Sequence, residues 1–366
     1  MSNISINLIE EFKKRYLELS SKDTLSNGFI FNDEKHSWIF YDYTCCVELL
    51  NSRVLTKNRM QVPLELFDEN QKNIVEEAQF LLTKSLIFRD HSKSKVINTI
   101  HENYKNINFN ELTYFLQDDV ITEKHLGSLN NKLAKLLTGI SFSEDISYHA
   151  GNVGKLFDGK VEGRDHFVDI MKSFLVIYNE IRHDINANFS VEYYDIDAID
   201  LSIAFVAAHQ TTMQLIVAAL FDIKKFDLLP FTCSINTVLT EVSRLHPPVL
   251  SVGRVFNEDY EYQGVSFKKG DKALFMTGLA NFDPNVFESP FAFIPGRNKK
   301  PLSFGAGVHL CIGMGVAMSV SSKIVQLIVD RSKNFNLSIS QLSEGFSALG
   351  AEAFIIEAGK NVTVEK

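Results

Sequence analysis

The run from Leu201 to Phe221 contains no Asp, Glu, Lys or Arg, and as a helix it is long enough to cross a bilayer. Two environments accept a helix that is apolar all round: a membrane, or the buried axis of a large protein. Its middle reads Ala208-His209-Gln210-Thr211-Thr212, and four consecutive polar side chains are costly in hydrocarbon without protein partners. The segment also stands alone in mid-chain. We therefore expect it to be a core helix with no membrane span. The 366 residues are 45% hydrophobic and 22% charged, the composition of a folded globular chain with a sizeable core.

A formal charge of −8 argues against a general nucleic-acid binder, which needs a basic surface to neutralise phosphates. The four cysteines, Cys45, Cys46, Cys233 and Cys311, form no CxxC pair and no regular framework, so neither a zinc site nor a disulfide scaffold is expected. The N-terminus lacks a charged-then-apolar leader. A reducing cytoplasm is the expected location.

Helical periodicity covers Ile6–Leu19, Tyr43–Leu50, Glu69–Leu86, Lys93–Tyr104, Asn130–Leu137, Arg164–Ile185, Ile196–Phe221 and Ser234–Leu245. Gly28 to Tyr41 alternates as a short hairpin around Asn32-Asp33-Glu34. After His246-Pro247-Pro248 come β-like runs at Val249–Phe256, Tyr260–Phe267 and Lys272–Phe275. A further helix is expected from about Cys311 to Arg331, and Asn361-Val-Thr-Val alternates again. No repeat or linker divides the sequence. The fold class is mainly α with a minor β region, in one domain over residues 1–366.

The sharpest motif is Phe304-Gly-Ala-Gly-Val-His309-Leu-Cys311-Ile-Gly313. Glycines permit positive φ and close backbone approach. Backbone N–H groups at a helix start stabilise a thiolate. A cysteine near glycine is by itself usually packing, but the whole string resembles the haem-binding loop of the cytochrome P-450 superfamily, F-x-x-G-x-[HR]-x-C-x-G. The resemblance implies the P-450 fold and haem b. It implies that Cys311 is the axial thiolate to iron and that Phe304, Gly305, His309 and Gly313 belong to the haem cradle.

Further motifs extend the resemblance. Glu241-Val-Ser-Arg244 matches the family's E-x-x-R, and Phe293-Ile-Pro295-Gly-Arg297 its F-x-P-x-R. The resemblance makes Glu241, Arg244 and Arg297 a buried structural triad bracing the cysteine loop, although an isolated i,i+3 pair is ordinarily a surface ion pair of little worth. It assigns Arg254 and His309 to the haem propionates, together with His91 and Lys95. Lys95 stands where the family has arginine and cannot make the planar bidentate contact. Ala280-Asn-Phe-Asp-Pro-Asn-Val-Phe matches A-N-x-D-P-x-x-F.

The apolar helix takes the place of the family's oxygen-binding helix, A-[AG]-x-[DE]-T-T, here Ala207-Ala208-His209-Gln210-Thr211-Thr212. The resemblance implies that Ala207 and Ala208 leave room for dioxygen. It also implies that the Thr211 hydroxyl helps deliver protons through ordered water. Bare, Thr211 is equally a helix threonine bonded to the preceding turn. Gln210 departs from the pattern, because an amide cannot accept and release a proton as a carboxylate does. The lid region, about 141–185, is short for the family, and a trimmed lid is expected.

The implied activity is a monooxygenase that activates O2 to oxidise a small natural-product-type molecule, amino-acid-derived or held on a carrier protein. Val249, Leu250, Ser251 and Val252 are the expected pocket residues. Electrons would come from a separate ferredoxin or flavodoxin, because the sequence has no flavin or nicotinamide fingerprint. Lys93, Lys95, Arg297, Lys299 and Lys300 form a candidate docking patch for it. The expected assembly is a monomer. Two alternatives remain at this point: an atypical P-450 doing coupling, desaturation or peroxide-driven chemistry, which Gln210 permits, and a degenerate haem fold used for protein docking.

Overall fold

The computed structural model describes residues 8–23, 27–57, 62–88, 95–113, 116, 118–157, 160–188, 195–344 and 349–357. In chain order the helices are α1 (Leu8–Lys22), α2 (Tyr43–Asn51), α3 (Glu69–Thr83), α4 (Lys95–Lys105), α5 (Phe109–Thr113), α6 (Glu123–Thr138), α7 (Ile146–Phe157), α8 (Gly163–Asn188), α9 (Asp195–Lys225), α10 (Ile235–Leu245), α11 (Thr277–Ala280) and α12 (Met314–Arg331). The strands are β1 (Phe29–Asn32), β2 (Ser37–Phe40), β3 (Leu55–Thr56), β4 (Val120–Thr122), β5 (Val252–Phe256), β6 (Tyr260–Tyr262), β7 (Val265–Phe267), β8 (Lys272–Phe275), β9 (Asn336–Glu344) and β10 (Leu349–Glu357).

Among the described residues, the Asp197–Lys225 segment of α9 is the one helix long and apolar enough to cross a membrane, and most of it is buried in the protein. Its first half, through Ile199, Ile203 and Val206, belongs to a core shared with α3, α7 and α8. Its second half, through Leu215, Ile216, Ala219, Leu220 and Ile223, belongs to a core shared with α6, α10 and α12. Joining two cores is what requires a helix apolar on every side. The charged residues flanking the apolar run are tied down. Asp200 accepts the Leu86 N–H at 3.0 Å, and Asp222 Oδ1 lies 3.0 Å from His246 Nε2.

The larger sheet has the order β1-β2-β8-β5-β3. Strands β2 and β8 are parallel, pairing Ser37 with Lys272 through Phe40 with Phe275, and the other neighbours are antiparallel. A second sheet has the order β4-β10-β9, and β6 and β7 form a hairpin. The larger sheet packs an aromatic core of Phe29, Phe40, Phe256, Phe267 and Phe275 against α2.

Several elements differ from expectation. Helix α6 begins at Glu123, because His125 Nδ1 accepts the Thr122 N–H and caps it, and it ends at Gly139 with φ 78°. Helix α7, over Ile146–Phe157, is not among the helices expected from periodicity and lies in the region expected to form a trimmed lid. The Tyr260–Phe267 run is a two-stranded hairpin turned by Gln263 and Gly264, both at positive φ. The helix after the cysteine begins at Met314 rather than Cys311. The strands β9 and β10 were not expected, and the Asn361-Val-Thr-Val segment lies outside the described residues.

Candidate active site

The Phe304–Gly313 loop closes on itself. Cys311 N–H donates to the Phe304 carbonyl at 2.8 Å and Leu310 N–H to Gly307 at 3.0 Å. Gly305 and Gly307 have φ of 73° and 68°, the left-handed region that favours glycine. At Gly307 a Cβ would stand 2.1 Å from the Leu50 carbonyl oxygen, so this glycine also seats the loop on α2. Gly313 is different, with φ −87°. Its N–H and that of Met314 lie near the Cys311 sulfur, the Met314 N–H donating to the Cys311 carbonyl at 3.3 Å. Partial desolvation is the larger influence and pushes the thiol up, while these two N–H groups oppose it.

The loop rests on a charge network that is fully partnered. Glu241 is 3% and Arg244 1% exposed. Arg244 Nε donates to Glu241 Oε2 at 3.0 Å and its Nη2 to Oε1 at 2.7 Å. Glu241 Oε1 also accepts Arg297 Nε and Ile294 N–H, each at 3.0 Å. The remaining guanidinium donors reach the carbonyls of Asn281, Pro290, Ala292, Glu288 and Ser289. Such complete pairing is what lets two cations and one anion stay buried. Arg297 therefore belongs to this network and not to a surface docking patch. Lys299 and Lys300 are exposed, and Lys93 lies outside the described residues.

Sequence reasoning missed how the network reaches the cysteine loop. Asn281 Oδ1 accepts the Leu302 N–H at 2.7 Å, and its Nδ2 donates to Ser303 Oγ at 2.9 Å. Ser303 Oγ in turn donates to the Ser243 carbonyl at 2.6 Å, on α10. The clue was present in Ala280-Asn281-Phe282-Asp283, a matched motif to which no role had been given.

Of the expected propionate partners, Arg254 is buried on β5 opposite Ala273, and its Nη1 donates to the Gly253 carbonyl at 2.8 Å. His309 closes a short 3-10 turn two residues before Cys311. Lys95 is the first residue of α4, and His91 lies outside the described residues.

On α9, Ala207 and Ala208 are exposed and Thr211 is half-buried, one open strip on a helix otherwise largely buried. Thr211 Oγ1 donates to the Ala207 carbonyl at 2.7 Å. Gln210 turns toward α7. A Cβ on Gly154 would come 3.3 Å from its Oε1, and one on Gly151 would come 3.6 Å from its Nε2. His209 is 7% exposed, and neither ring nitrogen has a hydrogen-bond partner among the described residues. Burial holds this imidazole neutral, lowering its pKa to about 4. The expected pocket residues divide. Val249 and Val252 are half-buried, Ser251 is buried with an unpartnered Oγ, and Leu250 packs with Leu245, Met276 and Leu279 beneath the Gly278 backbone. Leu250 therefore contributes to the sheet core.

These residues fit a haem. An exposed thiol at a helix start is flanked by exposed Leu310 and Ile312, 46% and 42% accessible, an apolar surface suited to a flat macrocycle. A buried guanidinium at Arg254 and an open strip of small side chains on α9 would supply an anion partner and room for a bound group.

The cytochrome P450 family model matches residues 213–351, which include Glu241, Arg244, Arg254, Arg297 and the whole cysteine loop, and begin two residues after Thr211. A biotin biosynthesis cytochrome P450 of Bacillus subtilis is 30% identical over 139 residues, 36% of this chain and 35% of that protein. Cytochrome P450 119 of Sulfolobus acidocaldarius is 29% identical over 184 residues, 48% of each. These alignments therefore span half or less of the relatives' length. In three dimensions the likeness covers nearly everything. P450BioI, solved in complex with an acyl carrier protein ligated to hexadec-9Z-enoic acid, superposes with a TM-score of 0.78 over 96% of this chain and 100% of that one, at 16% identity. Substrate-free CYP109E1 from Bacillus megaterium gives 0.72 over 96% and 99%, at 19% identity. Residues 213–351, with the Cys311 loop among them, therefore carry the sequence pattern of the cytochrome P450 family, and nearly the whole chain has the fold of the solved cytochrome P450 structures.

Proposed function

We propose that the protein is a haem-thiolate monooxygenase that hydroxylates a small natural-product-type molecule, amino-acid-derived or presented on a carrier protein. The observation that carries this reading is the exposed Cys311 thiol. It stands just before α12 with the Gly313 and Met314 N–H groups near its sulfur, on a loop braced through Asn281 and Ser303 to the Glu241–Arg244–Arg297 network. A docking module would need no thiolate ligand. The carrier-bound option draws support from P450BioI, whose solved complex contains a loaded carrier protein.

Cys311 would hold the iron, Arg254 and His309 the propionates with help from Lys95 and His91, and Phe304, Gly305 and Gly313 would pack against the macrocycle. The haem, when bound, supplies oxygen activation and the oxidising power that the protein lacks. Ala207 and Ala208 would leave room for dioxygen along the open strip of α9. The Thr211 hydroxyl donates its hydrogen bond to the Ala207 carbonyl, so its lone pairs remain to accept from water, which positions water for proton delivery. Electrons reach the protein from an external ferredoxin or flavodoxin, and the protein works as a cytoplasmic monomer.

One observation favours a second reading, peroxide-driven or coupling chemistry. Gln210 is an amide whose side chain is applied to the glycines of α7, so it supplies no carboxylate relay. The discriminating experiment compares product formed with a redox partner against product formed with peroxide, in the wild type and Gln210→Glu. Hydroxylation is expected to require the redox partner, with the glutamate variant raising coupled turnover. Turnover by peroxide alone, unchanged in the variant, would favour the second reading. Screening candidate molecules for a spin-state shift of the haem band identifies the substrate.

A further inference from the structure

Across the proximal loop, His101 of α4 places its Nε2 3.0 Å from the carbonyl oxygen of Ile312, the residue that follows the cysteine. A carbonyl only accepts, so Nε2 carries the proton and donates. The same amide continues as the Gly313 N–H, and Gly313 stands beside the Cys311 sulfur, which would lie 3.9 Å from a Cβ placed on that glycine. A donor on the oxygen of a peptide group polarises it and strengthens the bond made by its N–H. Helix α4 is well placed to hold the donor still. Ile100 packs on both major cores, Tyr104 packs on one of them, and Asn103 Nδ2 donates to the Leu137 carbonyl at 2.8 Å, fixing α4 to α6.

We propose that His101 is a positioning residue that tunes the thiolate through this two-bond relay, from imidazole to the Ile312 carbonyl and from the Gly313 N–H to sulfur. The inference rests on Cys311 being the haem ligand. Reduction adds negative charge to the iron–sulfur pair, and a stronger N–H donor to sulfur stabilises the more electron-rich state. His101 therefore raises the reduction potential.

The test uses the haem-loaded protein at one fixed alkaline pH and compares His101→Gln with His101→Met. The two side chains have similar size and reach, but only the amide can donate to the Ile312 carbonyl. For His101→Met the ferrous-to-ferric ratio at the wild-type midpoint is expected to fall about threefold, or about 28 mV at roughly 59 mV per tenfold for one electron. The iron–sulfur stretching frequency should rise in the same variant, and His101→Gln should restore both toward wild type. Equal potentials for the two variants and the wild type would overturn the proposal. So would equal shifts in both variants, which would mean the imidazole merely props the loop. The red-shifted band of the reduced carbon monoxide complex is recorded first. Its absence from the wild type would defeat the haem-thiolate reading and the relay with it, whereas its presence with unmoved potentials defeats the relay alone.

Discussion

Replacing Glu241 by glutamine keeps the shape of the side chain and removes the one anion that two guanidinium groups share. In the native network Glu241 accepts four hydrogen bonds, three of them from Arg244 and Arg297, whose side chains are 1% and 10% exposed. Removing one partner of a buried ion pair costs about 3–5 kcal/mol, because the remaining charge stays desolvated. With two cations left over, the upper part of that range applies. An unfolding entropy of roughly 2.1 cal/mol/K per residue over this length gives about 0.8 kcal/mol/K, so the melting temperature should fall by about 5 °C. The network also supports the Leu302–Ser303 segment through Asn281, so haem retention should fall alongside stability. Calorimetry at several scan rates, with haem content measured on the same samples, makes the comparison. A Glu241→Gln protein that melts within 1 °C of wild type, by the same roughly 0.8 kcal/mol/K conversion, and keeps its haem would show that the network does not brace the loop.

Two other positions give sharp expectations. Gly307→Ala adds a Cβ 2.1 Å from the Leu50 carbonyl oxygen at a residue with φ 68°. The left-handed conformation alone costs roughly 1–2 kcal/mol, about 1–3 °C at the same roughly 0.8 kcal/mol/K, and the clash with Leu50 adds to it, so the variant should melt several degrees lower and take up less haem, and a wild-type melt with full haem would contradict the seating of the loop on α2. His209 should shape the acid limb of stability. The unfolded chain binds a proton near pH 6.5 that the buried ring refuses until about 4. This contribution is complete above about 6.5, is lost progressively as the pH falls toward about 4, and amounts to roughly 3 kcal/mol. The difference between wild-type and His209→Leu stability, followed from neutral pH downward by denaturant titration, should show that slope, and a flat difference would mean the ring has a partner or solvent access.

The legibility of the chain in its sequence follows a physical line. A charge-free run such as Leu201–Phe221 can be identified as a buried helix because burial on all sides leaves no other composition. Glu241 and Arg244 are readable because i,i+3 spacing places them together on α10. The Cys311 loop is readable because closing such a tight turn demands glycines at positions 305 and 307. What escaped depends on contacts between distant segments. His101 and Ile312 are separated by more than 200 residues, and nothing in Ile100-His101-Glu102 announces a carbonyl partner. Nothing in the sequence around Gly151 and Gly154 shows that they leave room on α7 for the amide of Gln210. Leu250 was an expected pocket residue, but the turn into β5 directs it beneath Gly278 and into the core. Gln210 was singled out by chemistry, and only its packing against α7 shows where its side chain goes.

The central claim is that Cys311 is the thiolate that holds haem iron. It is tested most directly by the absorption spectrum of the reduced, haem-loaded protein under carbon monoxide, recorded for the wild type and for Cys311→Ala. The wild type should give the red-shifted Soret band of a thiolate-ligated haem, and the alanine variant should lack it. A wild-type spectrum without that band, or an alanine variant that retains it, would contradict the assignment and with it the oxygenase reading.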